Sequence, residues 1–249
     1  MIFKLWSVLH FLYLLSPFII FTGIYFLIKN RSERVKYIVG VVLGSLSILI
    51  LLVRNIDIFI RQGWEVEVIP LQVCHIGSLV AGIALITRKR WLIITSFCFN
   101  MIPAFLAMVF ADSLANYDTL LKIRAQAYVW GHILIVVCAL YGILVLLPRL
   151  SKRDLAYALT FVGGMATTAV ICNSAFRAAL DWTPNYFYLY DYKGTPLKFL
   201  YKVFPTSSYG WFSINWFYVL TLLAVFVAVF IGLFYLAKFI TEKMRKRSK

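Results

Sequence analysis

The sequence predicts an all-α protein: a polytopic transmembrane helical bundle of about seven spans in a single domain, residues 1–249. Three observations carry that prediction. The chain is 62% hydrophobic, whereas soluble domains hold about 45–50% apolar residues. Its apolar residues come in blocks of about 20, the length of helix that crosses a bilayer. Strict two-residue alternation, the mark of a membrane barrel, is absent.

The blocks place spans at about 5–28, 37–56, 70–87, 91–111, 125–147, 155–176 and 211–237. The first block is too long for a signal peptide and no small-residue cleavage site follows it, so it counts as a span. The third is the weakest, being short and carrying Gln72, Cys74 and His75. Gly163-Gly164 in the sixth reads as a site of close helix packing.

The net charge of +15 would suggest a nucleic-acid partner in a soluble protein. Here the basic residues gather in the loops at 29–36, 88–90 and 149–153 and in a tail at 238–249. The positive-inside rule makes that side cytoplasmic. The N-terminus is then outside, the C-terminus inside, and the expected location is a bacterial plasma membrane. The basic tail suits anionic lipid headgroups. A retinal protein is excluded because the last span has no lysine before Lys238, and no DRY or NPxxY supports a G-protein-coupled receptor.

The long segment 177–210 falls on the outer side. It is rich in aromatic rings, which prefer the headgroup level, and reads as an extracytoplasmic cap.

Polar residues inside a bilayer are costly and mark sites by default. On this topology they collect in the outer leaflet: Arg54 and Asn55 end the second span, Asp112 the fourth, and Asn173 and Arg177 the sixth. Cys74 lies about 6 Å into the third span and His132 about 10 Å into the fifth, at 1.5 Å per residue. Pro70 suits the first position of a helix, which puts Cys74 just past the first turn, near a terminus that favours anions. A thiolate is the reactive form of cysteine, and an imidazole is its usual base. His75 is adjacent in sequence, but helical neighbours do not face each other, so His132 is the better partner. His10 suits a place at the outer surface. Cys98, Cys138 and Cys172 read as packed apolar side chains. No metal spacing, disulfide framework or cofactor motif is present.

IPLQVCHIG early in the third span resembles the PLHLCDI-type motif of the YwaF-like integral membrane family. That group is related to transmembrane protein 164, a phospholipid acyltransferase. WGHILI at 130–135 is similar to the family's histidine-containing motif, and TPNYFYLYDYKGTP at 183–196 to its NYMYL segment. The resemblance implies a lipid acyltransferase or transacylase working through a thioester, with Cys74 as nucleophile and His132 as general base. It places Gln72 and His75 where the family has a histidine and an acidic residue. Asn173, Asn185 and Tyr186 would face the oxyanion, and Arg54 or Arg177 would hold a phosphate. The expected partners are membrane phospholipids or lysolipids. The alternative is a non-catalytic lipid-binding or transport protein using the same pocket; a structural membrane subunit is the third reading.

Overall fold

The computed structural model describes residues 4–111, 114, 117, 119–193 and 197–247. The chain is an all-α bundle. Its long helices are α1 (Val8–Ile28), α2 (Glu33–Gln62), the short α3 (Val73–Thr87), α6 (Ile123–Leu144), α7 (Lys152–Leu180) and α9 (Trp216–Arg247). Between α3 and α6 one rod is made of α4 (Arg90–Thr95), a π-helix (Ser96–Asn100) and α5 (Met101–Val109). Among the described residues six helical rods are long and apolar enough to cross a membrane, and α3 is a shorter apolar helix. The protein is therefore a multi-pass membrane protein.

Local chemistry sets the helix ends. Ser7 and Ser32 cap α1 and α2 by accepting from the backbone N–H groups of His10 and Val35. Ser151 and Asp154 form a reciprocal capping box on α7, satisfying two donors that a helix start leaves open. Gly63 ends α2 at φ 75°, a conformation that costs glycine little. The basic tail continues α9 as helix through Arg247.

Helix α6 is the hub, packed against α1, α2, α3, α4, the π-helix, α5 and α9. The tightest seam joins α2 to α3. A Cβ on Gly44 would lie 2.7 Å from the Gly82 carbonyl oxygen, and one on Gly82 would lie 2.6 Å from that of Gly44. The backbones therefore touch, as small residues allow in membranes. Ser47 donates to the Ser78 carbonyl across the same seam at 3.1 Å. At Gly163 and Gly164, expected to mark close packing, an added Cβ would meet nothing within 4 Å among the described residues, because that part of α7 faces away from its neighbours. On α1, His10 is buried and bonds the Met108 carbonyl at 2.9 Å through Nε2, so it ties α1 to α5 instead of lying at the surface.

Two features depart from the apolar pattern. Helix α3 starts at Val73 with Gln72 as its N-cap, three residues after Pro70. Pro70 sits in a turn that the Leu71 N–H closes on the Ile69 carbonyl. Cys74 is thus the second residue of the helix, inside its first turn. The 15 residues of α3 rise about 22 Å at 1.5 Å each, less than the hydrocarbon core of about 30 Å. The other feature is the π-helix, where Ser96 Oγ and both amide atoms of Asn100 are buried without a hydrogen-bond partner among the described residues.

The segment between the end of α7 and the start of α9 folds into a cap. A 3-10 turn (Tyr186–Tyr188), a short α8 (Lys198–Tyr201) and a hairpin of β1 (Ser207–Tyr209) and β2 (Phe212–Ile214) follow one another. The strands pair antiparallel, Ser208 opposite Ser213. Tyr186, Leu189 and Ile214 pack with Ala166, Ala169, Tyr218 and Val219 of α7 and α9, which holds the cap on the bundle.

Candidate functional site

At the cap end of the bundle α2, α3 and α6 enclose a cavity of about 310 Å³, completed by the 63–72 segment, Tyr117 and the cap. Its walls are Arg54 of α2; Glu67 and Gln72; Cys74, His75 and Ser78 of α3; Arg124, Tyr128 and His132 of α6; and Tyr188. The size is at the lower end of small-molecule sites, about 300–1,000 Å³. It suits the polar part of a lipid whose chains stay in the bilayer.

The cavity exists because α3 is short. Its recessed N-terminus obliges residues 63–72 to run as irregular chain toward the bundle interior. Backbone polar groups there need protein partners, and side chains supply them. Arg54 Nη1 donates to the Glu67 carbonyl at 3.1 Å, Asn55 to that of Val68 at 3.0 Å, and the Tyr186 hydroxyl to that of Val66 at 3.0 Å. Carboxylates of the same segment reach the cavity's two arginines. Glu67 pairs with Arg54, while Glu65 lies 3.5 Å from Arg124, which also bonds Gln62.

His132 is 4% exposed, and its Nδ1 lies 2.7 Å from the Tyr128 carbonyl oxygen. A carbonyl only accepts, so Nδ1 carries the proton and Nε2 keeps its lone pair. That tautomer is the one a general base needs. The ring also packs on that of Tyr128, with centroids 4.3 Å apart. His75 is 6% exposed and its Nδ1 has no hydrogen-bond partner among the described residues. Cys74 is a free thiol in the first turn of α3, where the helix dipole favours negative charge. Cys98 and Cys138 are buried in apolar clusters, and Cys172 packs beneath the cap. The chemistry the cavity can support is nucleophilic attack by a thiol, with an imidazole and two guanidinium groups lining the same space.

The TMEM164 family model matches residues 5–235. The chain belongs to the TMEM164 family. No curated protein and no solved structure matches it.

In this TMEM164-family chain the cavity gathers Arg54, Gln72, Cys74, His75 and His132 from the expected site residues. Asn173, Arg177, Asn185 and Tyr186 sit instead in the scaffold of the cap. Asn173 donates to the Tyr186 carbonyl at 3.0 Å and accepts from the Tyr186 N–H at 2.7 Å. Arg177 donates to the Pro184 carbonyl at 2.7 Å, with its guanidinium 3.9 Å over the Tyr190 ring. Asn185 bonds Tyr190, Asp191 and Lys193. Asp112 lies outside the described residues. Among the described residues no group of three metal-ligating side chains comes together.

Sequence reasoning missed Glu67, Ser78, Tyr117, Arg124, Tyr128 and Tyr188. Arg124 and Glu67 fall in stretches that read as loop. Tyr128 and Ser78 carried a findable signal, since each lies four residues from a candidate, His132 and Cys74, and so shares its helix face.

Proposed function

We propose that this protein is a membrane lipid acyltransferase or transacylase, with Cys74 as nucleophile and His132 as general base. One observation carries the reading: Cys74 and His132 line a single cavity, and the Tyr128 carbonyl holds His132 with Nε2 as proton acceptor. The resemblance to a lipid acyltransferase supplies the reaction class.

In the first half-reaction His132 Nε2 takes the Cys74 proton. The sulfur attacks the ester carbonyl carbon of a lipid, and the tetrahedral intermediate collapses to a thioester. The departing alkoxide takes the proton from the imidazolium. In the second half-reaction His132 deprotonates an acceptor hydroxyl, which attacks the thioester and returns the thiol. Arg54 and Arg124 would receive the lipid phosphate, since a guanidinium fork matches its oxygens. The location that fits is the outer leaflet of a bacterial plasma membrane, where ester carbonyls lie just below the headgroups. The N-terminus is then outside, and the basic end of α9 meets anionic headgroups on the cytoplasmic side.

The test is chain transfer in proteoliposomes, from phosphatidylcholine with a deuterated chain to lysophosphatidylglycerol. Transfer by the native protein that vanishes in Cys74→Ala and in His132→Ala is the expected result. Lipid retention without transfer, unchanged in Cys74→Ser, would replace this reading with a non-catalytic lipid-binding or transport role.

A further inference from the structure

The cap's Asn185–Tyr190 stretch is held in a conformation its residues disfavour. Phe187 and Tyr188 have φ of 58° and 56°, in the left-handed region that bulky side chains rarely occupy. Such backbone persists only where its surroundings over-determine it, and it clusters at functional sites. Three anchors do so here. Asn173 bonds both the N–H and the carbonyl of Tyr186. Asn185 Oδ1 accepts from the N–H groups of Tyr190 and Asp191 at 3.1 and 3.2 Å. The Phe187 ring stacks on Phe99 of the π-helix, with centroids 5.5 Å apart and planes at 20°. The side chain this turn delivers to the cavity is Tyr188.

Two neighbouring phenols are already committed, whereas Tyr117 of the same cavity wall makes no hydroxyl bond among the described residues. Tyr128 donates to the Ala107 carbonyl at 2.6 Å and Tyr186 to that of Val66. The Tyr188 hydroxyl carries no such bond among the described residues. Tyr188 is 43% exposed, and its partial burial, and then the nearby Cys74 thiol, raise its pKa above the ordinary phenol value, so it stays an O–H donor well past neutral pH.

We infer that Tyr188 is a catalytic hydrogen-bond donor whose phenol stabilises the oxyanion formed when Cys74 attacks an ester carbonyl. This rests on the Cys74–His132 reading. As the C–S bond forms, the carbonyl π pair moves onto oxygen, and the Tyr188 O–H donates to that oxygen without giving up its proton. When the intermediate collapses the pair returns, the C–O bond to the leaving group breaks, and the leaving oxygen takes the proton held by His132. Preorganised donors of this kind contribute most where charge develops out of water. The strained turn serves to preorganise this donor.

The test uses the full chain in detergent micelles with a p-nitrophenyl acyl ester, comparing native protein, Tyr188→Phe and Gln72→Ala. Acylation of Cys74 is read as the p-nitrophenol burst, and iodoacetamide alkylation of Cys74 is measured alongside. Alkylation forms no oxyanion, so it reports an intact, reactive thiol. The expected result for Tyr188→Phe is an acylation rate down about 100-fold at nearly constant KM, with native alkylation. Native acylation by Tyr188→Phe, or a loss found in Gln72→Ala instead, overturns the inference and leaves the Cys–His reading standing. Acylation and alkylation falling together would make Tyr188 structural. No acylation of Cys74 in the native protein would sink the Cys–His reading, and the role of Tyr188 with it.

Discussion

Arg54 grips the segment that carries Glu67 twice over, pairing with the Glu67 carboxylate and donating to the Glu67 carbonyl at 3.1 Å. The same guanidinium lines the cavity that holds Cys74. One side chain thus fixes the irregular backbone in front of α3 and presents a cation at the rim. Its Glu67 partner is half exposed, so the pair itself is worth about 0–1 kcal/mol, while the backbone contact matters more.

Arg54→Ala should therefore loosen residues 63–72. The expected cost is about 1.5–3 kcal/mol, the range for hydrogen bonds to charged groups. Hydrogen exchange at Glu67 and Val68 should rise well above that in Glu67→Gln, which keeps the Arg54 contact to the carbonyl. Equal exchange in the two variants would mean that the carboxylate pair, not the backbone bond, holds the segment.

The α2–α3 seam makes a second prediction. Gly82→Ala puts a methyl 2.6 Å from the Gly44 carbonyl oxygen, and relief requires the two helices to part. Overpacking of this kind costs about 1–3 kcal/mol, and it should also weaken the Ser47–Ser78 bond. Gly163→Ala and Gly164→Ala, whose added methyls meet nothing within 4 Å, should be neutral or slightly stabilising. Unfolding midpoints in detergent for the three variants check the ordering.

Alkaline pH should release the cap. Burial, and then the neighbouring Cys172, push the Tyr186 phenol up to about 12, against about 10 in the unfolded chain. The unfolded state loses this proton first, so the contribution is whole below pH 10 and falls as pH rises from about 10 toward 12. Denaturation midpoints at pH 9 and 11 should drop less in Tyr186→Phe than in the native protein. An equal drop in both would assign the pH effect to other groups.

Cysteine replacements separate site from packing. Cys98 and Cys138 are each 1% exposed in apolar clusters. Changing either to Ala leaves a small cavity costing about 1 kcal/mol and should keep acyl transfer near native. Cys74→Ala should abolish transfer with little change in stability, since its side chain faces a cavity. A Cys98 or Cys138 variant that is stable but inactive would contradict the location of the site.

Much of this was legible in the sequence for a physical reason. Apolar blocks mark spans because lipid demands them, and the spans then fix depth, which is why Arg54, Cys74 and His132 could be placed near one another. The start of α3 was misjudged because Pro70 suits both a first helical position and the turn it occupies. Ser96–Asn100 reads as ordinary apolar helix, and its π geometry leaves no local trace. Glycine identity did not separate Gly44 from Gly163, since only the partner helix decides which one is crowded. The NYFYLY stretch pointed to Tyr186, but Asn173 turns Tyr186 into the cap and leaves Tyr188 at the cavity. That choice depends on a bond between residues thirteen apart in sequence.

The measurement closest to the central claim is the mass of Cys74 itself. The full chain is incubated with phosphatidylcholine of one defined chain length, quenched in acid and digested, and the peptide holding Cys74 is weighed. The account predicts a hydroxylamine-labile acyl adduct of that chain on Cys74, absent from Cys98, Cys138 and Cys172 and lost in His132→Ala. A bound lipid with Cys74 unmodified in native protein and His132→Ala alike, under conditions where lipid chains are transferred, would contradict it.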